Sequence, residues 1–403
     1  MVARRKAKRR GSKRARTRAS SSIYAVSKIV TRGRGPGSLT SKSRNGATPH
    51  AIALAKRLGL RYVTTDALLI RRRRSGRGWI YIGNDGQPIQ DRRIVRRLTR
   101  LAVPSAYQDV LYAADPAAHL QAVGRDAAGR LQYRYHPQWE DVREGRKARR
   151  LARLAHALPQ VRRRLGQYLA SDNRTREFAC AAVIELVACS AIRPGSEDYR
   201  RLHGTRGAAT LLKSNVSIYG QAINLKFRSK GGKIVTKEFA AARLARVIAL
   251  LRRLPGRRLF QYQAEDGTVH RVNARDVNAF LREIAGTKIS LKDFRTLLAS
   301  ASVLDALARI KPAASAHQRR KQVLEAVSAA AEDLANTPTI CRKSYVHETV
   351  VTAFENGVLE RFSGTLKNCR SPTRRAKVLA QIIATAATGS AGLDVAGVVQ
   401  RRT

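Results

Sequence analysis

Residues 119–135 read His119-Leu120-Gln121-Ala122-Val123-Gly124-Arg125-Asp126, then Ala127-Ala128, then Gly129-Arg130-Leu131-Gln132-Tyr133-Arg134-Tyr135. Two short strand-like runs parted by a turn ending in Gly predict a β-hairpin. Alternation along the second strand sends Tyr133 and Tyr135 to one face and Gln132 to the other. Upstream, Gly78-Trp79-Ile80-Tyr81-Ile82 before Asn84-Asp85-Gly86 predicts another strand ending in a turn. Downstream the period changes. From Val142 apolar residues recur at three and four positions, as in Leu151, Leu154, Leu158, Val161 and Leu165, which predicts helix. One β interlude breaks the helical run: a strand over 218–227, a turn Ser229-Lys230-Gly231-Gly232-Lys233 and a strand over 234–239. The expected fold class is α+β. A small, mostly β domain spans 51–139, and a larger, mostly α domain with a β-hairpin spans 140–363. A disordered basic tail is expected over 1–50 and a partly helical tail over 364–403.

The 403 residues carry 79 Lys and Arg against 28 Asp and Glu, a formal net charge of +51. No apolar run is long enough to span a bilayer, so a membrane-spanning helix is excluded, and no apolar h-region follows the start, so a secretory signal is not expected. No long amphipathic helix offers a Trp- or Phe-rich face to a membrane surface. A charge this large calls for a polyanionic partner, and nucleic acid fits it. Eighteen Lys and Arg precede Asp66, the first acidic residue, and ten of them fall within the first twenty positions. Such a block binds phosphate backbone without reading sequence. A mitochondrial transit peptide is also Arg-rich and acid-poor, but it needs an apolar face that this run lacks. Cys180, Cys189, Cys341 and Cys369 form no C-x-x-C pair, so neither a disulfide framework nor a structural metal is indicated.

The chemistry is bounded first by what is missing. Gly232-Lys233 precedes Ile234 and lacks the upstream Gly of a P-loop, and His347-Glu348 precedes Thr-Val-Val, which breaks the zincin pattern. No carboxylate cluster suits two-metal chemistry. Metal-free phosphoryl transfer needs a nucleophile, fixed cations on the non-bridging oxygens and an acid for the leaving oxygen. Arg193 lies where an apolar helix stops, Lys230 at a hairpin tip, Arg295 on an apolar-periodic segment, and Tyr345 among basic residues after Asn336-Thr337-Pro338. Taken singly, each has a plain alternative: a solvated surface charge, ordinary turn chemistry or a packed phenol.

Their order changes the weight. Ile192-Arg193-x-Gly195, the hairpin Lys230, Lys292-Asp293-Phe294-Arg295-Thr296 and Asn336-Thr337-Pro338 through Tyr345 resemble, in sequence order, the catalytic stretches of type IB DNA topoisomerases. The resemblance is specifically to their small bacterial and pox-type branch. Gly76-Arg77-Gly78-Trp79, Gly124-Arg125-Asp126, Gln132 through Pro137 and Leu259-Phe260-Gln261-Tyr262 extend the resemblance from Leu60 to about Leu359. It implies a two-lobed monomeric clamp around duplex DNA. The implied activity is relaxation of supercoils through a transient 3′-phosphotyrosyl bond, without ATP or a metal. Tyr345 would be the nucleophile, Arg193 and Arg295 the phosphate clamp, Lys230 the general acid, and Asn336 a hydrogen-bond donor in a position held by His in other members. Gln132, Tyr133 and Tyr135 would contact DNA, as would Tyr199 and Arg200. The implied location is the cytoplasm on a bacterial nucleoid, or the nucleus or a mitochondrion in a eukaryote.

Two other functions share features with this pattern. A tyrosine recombinase has the same nucleophile, arginines and hairpin lysine, but typically carries His where Lys292 stands. A non-enzymatic chromatin-like binder would use mainly the tail. Three places depart from the topoisomerase pattern: Pro194 where Val is common, the stretch Leu297 to Ser300 where an aromatic and a Gly are usual, and Glu348 where Pro is common.

Overall fold

The computed structural model describes residues 49–367, 369 and 371–389. The basic stretch 1–48 and the final residues lie outside them, and with them the expected tails in those regions. Helix α1 (Pro49–Arg57) leads into β1 (Ile70–Ser75) and β2 (Gly78–Ile82), then α2 (Arg92–Arg100), β3 (Gln108–Tyr112), β4 (Leu120–Arg125) and β5 (Leu131–Tyr135). The five strands form one antiparallel sheet in the order β2-β1-β3-β4-β5. Helix α2 covers one face, where Leu98 packs with Ile70, Tyr81, Val110, Tyr112 and Ala122. The opposite face buries Leu68, Leu120 and Val123.

Helix α3 (Trp139–Ala170) starts among α1 side chains, with Trp139 and Val142 in one cluster with Ala51, Leu54 and Ala55. Its Leu151, Leu154, Leu158, Val161 and Leu165 are all buried, the stripe expected from their spacing. Helix α4 (Arg176–Ser190) is apolar nearly all round and correspondingly sits inside the core. Then come α5 (Glu197–His203), β6 (Val216–Tyr219), β7 (Ala222–Arg228), β8 (Ile234–Ala240) and α6 (Ala242–Arg252). A short hairpin, β9 (Gln261–Gln263) with β10 (Val269–Arg271), precedes α7 (Ala274–Ala285), α8 (Leu291–Leu307), α9 (Ala316–Asp333) and α10 (Pro338–Ser344). The series closes with α11 (Glu348–Glu355), α12 (Glu360–Lys367) and α13 (Pro372–Gly389).

Two expectations are revised here. The single strand over 218–227 is two strands, β6 and β7, joined by a two-residue turn at Gly220-Gln221, so the hairpin is part of a three-stranded sheet. The segment after 364, expected as a tail, places Ala376, Val378, Leu379, Ile382 and Ile383 of α13 in the main helical core. Its Ala- and Thr-rich composition hides a narrow apolar stripe that suffices for packing against α3, α8 and α11.

Candidate active site

Helix α4 ends at Ala191, which adopts a left-handed conformation (φ 55°) with its N–H bonded to Val187 O at 3.0 Å. That conformation costs a non-glycine residue about 1–2 kcal/mol. It accompanies a carbonyl placed where Arg295 needs an acceptor: the Ala191 oxygen accepts from Arg295 Nη1. Arg295 Nη2 donates to Leu334 O at 3.1 Å. The guanidinium is 1% exposed and its carbon lies 5.0 Å from the centre of the Tyr345 ring. On α8, Asp293 accepts from both the N–H (2.8 Å) and hydroxyl (2.9 Å) of Ser290, fixing the start of the helix that presents Lys292 and Arg295.

Arg193, two residues beyond Ala191, donates to Asn336 Oδ1 and, at 3.5 Å, to Ala335 O. Ala335 is a second left-handed alanine, with φ 49°. Thus Arg193, Arg295, Asn336 and Tyr345 come together from three separate segments. Two donors in this cluster, Arg295 Nε and Asn336 Nδ2, are buried with no hydrogen-bond partner among the described residues. Unpaired buried donors are costly, and a phosphate oxygen is an acceptor that would satisfy them. Burial is the largest influence on the Tyr345 phenol and raises its pKa. Arg295, Arg193 and Lys292 together outweigh it, so the net shift is downward from the ordinary value of 10.0. Burial lowers the Lys292 ammonium from its ordinary value, while the Tyr345 phenol opposes that shift.

The backbone around Tyr345 is held from two sides. Ser300 Oγ donates to Tyr345 O at 2.9 Å and accepts from His347 N at 3.1 Å. Lys147 of α3 donates to Val346 O at 2.9 Å and Lys343 O at 3.3 Å. Sequence reasoning missed both residues. Ser300 appeared only as a departure from the family pattern, and Lys147 lies nearly two hundred positions from its acceptors. Glu348, another departure, pairs with Arg342 at 2.6 Å. Lys237 was missed too. It stands on β8 with Nζ 3.9 Å from Asp333 Oδ1 and close enough to Arg295 for the two charges to be felt.

Lys230 is not brought to this cluster. It is exposed at the tip of the β7–β8 hairpin, where its Nζ lies 5.2 Å from the Tyr199 ring centre. Gly231 and Gly232 both adopt φ 79°, a conformation the tip requires and side chains disfavour. The hairpin is nevertheless tied to the Arg193 loop: Arg206 N donates to Arg228 O at 2.7 Å, Ala208 N to Arg193 O at 2.8 Å and Ala209 N to Pro194 O at 2.9 Å. Gly207 lies against Gly195 so closely that an added Cβ would meet Gly195 N at 2.5 Å, and Arg193 O closer still. Both obstacles are backbone and cannot swing aside. Gly207→Ala is therefore expected to shift the Arg193 loop and slow strand cleavage by about 10–100-fold. It should also destabilise the protein by about 1–3 kcal/mol. Single-turnover cleavage alongside thermal denaturation checks this, and wild-type cleavage would refute the assigned role.

Of the expected DNA contacts, Tyr133 and Tyr135 share a face, each 40% exposed, with ring centres 6.1 Å apart. Tyr135 also stacks on Trp139 at 6.1 Å. Gln132 Nε2 donates to Asp126 Oδ2 at 2.9 Å, which orients its amide. Tyr199 is exposed on α5, and Arg200 is engaged with Glu197 at 2.6 Å.

Residues 137–370 match the family described as Eukaryotic DNA topoisomerase I, catalytic core, and residues 78–126 match Bacterial DNA topoisomerase IB, N-terminal domain. The chain belongs to the type IB DNA topoisomerases. The DNA topoisomerase 1B of Acanthamoeba polyphaga mimivirus is 30% identical over 298 residues, covering 71% of this chain and 88% of the viral protein. The protein is thus a DNA topoisomerase whose family implies a duplex DNA substrate. No described helix is long and apolar enough to cross a membrane.

Proposed function

We propose that the protein relaxes supercoiled DNA by breaking and rejoining one strand through Tyr345, with no requirement for ATP or a metal ion. The observation carrying this reading is the Tyr345 ring packed against Arg295 beside two unpartnered buried donors, Arg295 Nε and Asn336 Nδ2. The Tyr345 oxygen attacks the scissile phosphorus as Arg193, Arg295 and Asn336 hold the non-bridging oxygens. The bond from phosphorus to the 5′ oxygen breaks, and Lys230 gives that oxygen a proton. A 3′-phosphotyrosyl ester remains while the free end swivels. In rejoining, the 5′ hydroxyl attacks phosphorus, Tyr345 leaves as phenolate and Lys230 recovers its proton. One phosphodiester is exchanged for another, so no nucleotide need be consumed. Relaxation of a supercoiled plasmid in excess chelator without ATP tests the proposal, and an absolute need for either would overturn it. Relaxation of plasmids without any special site separates this activity from recombination.

The duplex would lie against Gln132, Tyr133 and Tyr135 on one module and Tyr199 and Arg200 on the other, with the protein closing round it as a monomer. The bacterial-type N-terminal domain supports a cytoplasmic location on the nucleoid. Residues 1–48, with 15 Lys and Arg and no acidic residue, would add sequence-independent phosphate contacts. Each contact contributes about −0.9 to the slope of log affinity against log salt. Deleting residues 1–48 is expected to flatten that slope while leaving strand cleavage intact. Filter binding across a salt series checks it, and an unchanged slope would exclude the tail from the interface.

A further inference from the structure

Helix α2 carries five arginines, Arg92, Arg93, Arg96, Arg97 and Arg100, that line one cleft of about 530 Å³. Arg92, Arg96 and Arg100 recur every fourth residue and so form one stripe, with Arg93 and Arg97 beside it. Arg97 is the fixed member. It is half-buried and donates to Gln121 Oε1 at 2.8 Å, Ala113 O at 2.8 Å and Ala114 O at 2.9 Å. Gln121 is itself buried, with Nε2 donating to Ala118 O at 2.7 Å and Pro116 O at 3.0 Å, so this wall is rigid. The other four guanidinium groups have no hydrogen-bond or ion-pair partner among the described residues. Leu101, Pro116 and Pro137 add apolar surface beside the arginine row.

This cleft is on the other side of the sheet from the tyrosines assigned to DNA. Tyr81, Tyr112 and Ala122 turn toward α2, whereas Val123 turns away, and Tyr133 is the cross-strand partner of Val123. Its volume falls within the roughly 300–1,000 Å³ of small-ligand sites. Arginine forks pair with phosphate oxygens two at a time, so four free forks suit several linked phosphates better than one.

We infer that the α2 cleft binds a compact polyphosphate, either inorganic triphosphate or the triphosphate arm of a nucleotide whose base rests on the apolar wall. This site goes beyond strand cleavage and rejoining and does not depend on the assignment of Tyr345. Isothermal titration of the full-length protein with inorganic triphosphate and with ATP, in chelator at about 0.15 M salt, tests it. The double variant Arg96→Ala/Arg100→Ala, at two exposed and unpartnered positions, is expected to lose at least about tenfold in triphosphate affinity. The charge-matched Arg73→Ala/Arg77→Ala, on and after β1, should stay near wild type. Equal losses in the two variants would reduce the binding to bulk charge and overturn the site. Tighter ATP than triphosphate identifies the nucleotide as the ligand, and equal affinity identifies the phosphate chain alone. Hydrogen exchange should slow over 92–101 and 113–121 on triphosphate addition, and protection confined to other segments would refute the location. An α2 variant that lost duplex affinity yet kept triphosphate affinity would show the cleft to be DNA-facing and end the proposal.

Discussion

Tyr345→Phe is expected to abolish relaxation and covalent capture of DNA while leaving duplex affinity almost unchanged. The substitution removes one oxygen from a half-buried ring and leaves the ring's packing under Arg295 in place. Its backbone anchors, Ser300 Oγ and the Lys147 ammonium, contact carbonyls and do not touch the phenol. The fold should therefore survive. The reaction should not: removing a covalent nucleophile costs rates on the order of 10⁴–10⁶-fold. Denaturant quench followed by mapping of the adduct to a single peptide checks the assignment, and relaxation by the Phe variant would refute it. The wild-type enzyme should show a matching pH profile. In the proposed reaction phenolate attacks, and the cationic neighbours of Tyr345 lower the phenol's pKa. Single-turnover cleavage should thus rise with pH and reach half its maximum below pH 10, the ordinary phenol value of about 10 being the ceiling.

Different levels of the molecule were legible to different degrees. The β4–β5 hairpin and the α3 stripe could be read directly because side-chain period is a local property, fixed at two for a strand and near 3.6 for a helix. Tyr133 and Tyr135 consequently fell on the expected shared face. The turn at Gly220-Gln221 was passed over, since one Gly within an apolar run looks like a tolerated irregularity. The residue types gathered in the candidate site were legible from their order along the chain. Their geometry was not. Arg295 is aimed by the carbonyls of Ala191 and Leu334, and carbonyl positions depend on backbone conformation, which a side-chain code does not reveal. Left-handed Ala191 and Ala335 make the point sharply, because alanine gives no hint of positive φ. Ser300 looked like a defect in the pattern, yet its hydroxyl holds the backbone carbonyl of Tyr345.

Lys230→Ala should slow cleavage by about 10²–10⁴-fold, the range for loss of a general acid, with little effect on binding. The expectation is demanding because Lys230 sits away from the cluster, its Nζ over the Tyr199 ring. A cation–π contact at an exposed site holds it by only about 0.5–1 kcal/mol, which a nearby phosphate can outcompete. The β7–β8 ladder is continuous from Ala222 paired with Ala240 to Arg228 paired with Ile234, so the strands stay rigid and movement is confined to the tip. At the tip, Ser229 N bonds Lys233 O at 2.7 Å, and the two left-handed glycines let the turn re-aim the ammonium without breaking the ladder. Acid catalysis and phosphate binding by this lysine make different predictions. A substrate with a 5′ sulfur in place of the bridging oxygen expels a thiolate that needs no proton. If Lys230 supplies the proton, the Ala variant should cleave this substrate nearly as fast as wild type. If it only stabilises charge on the phosphate, the deficit should persist on sulfur as on oxygen, and the acid role would then have to be assigned elsewhere, with Lys292, whose charge acts on Tyr345, and Lys237, whose charge acts on Arg295, the ammonium groups to test.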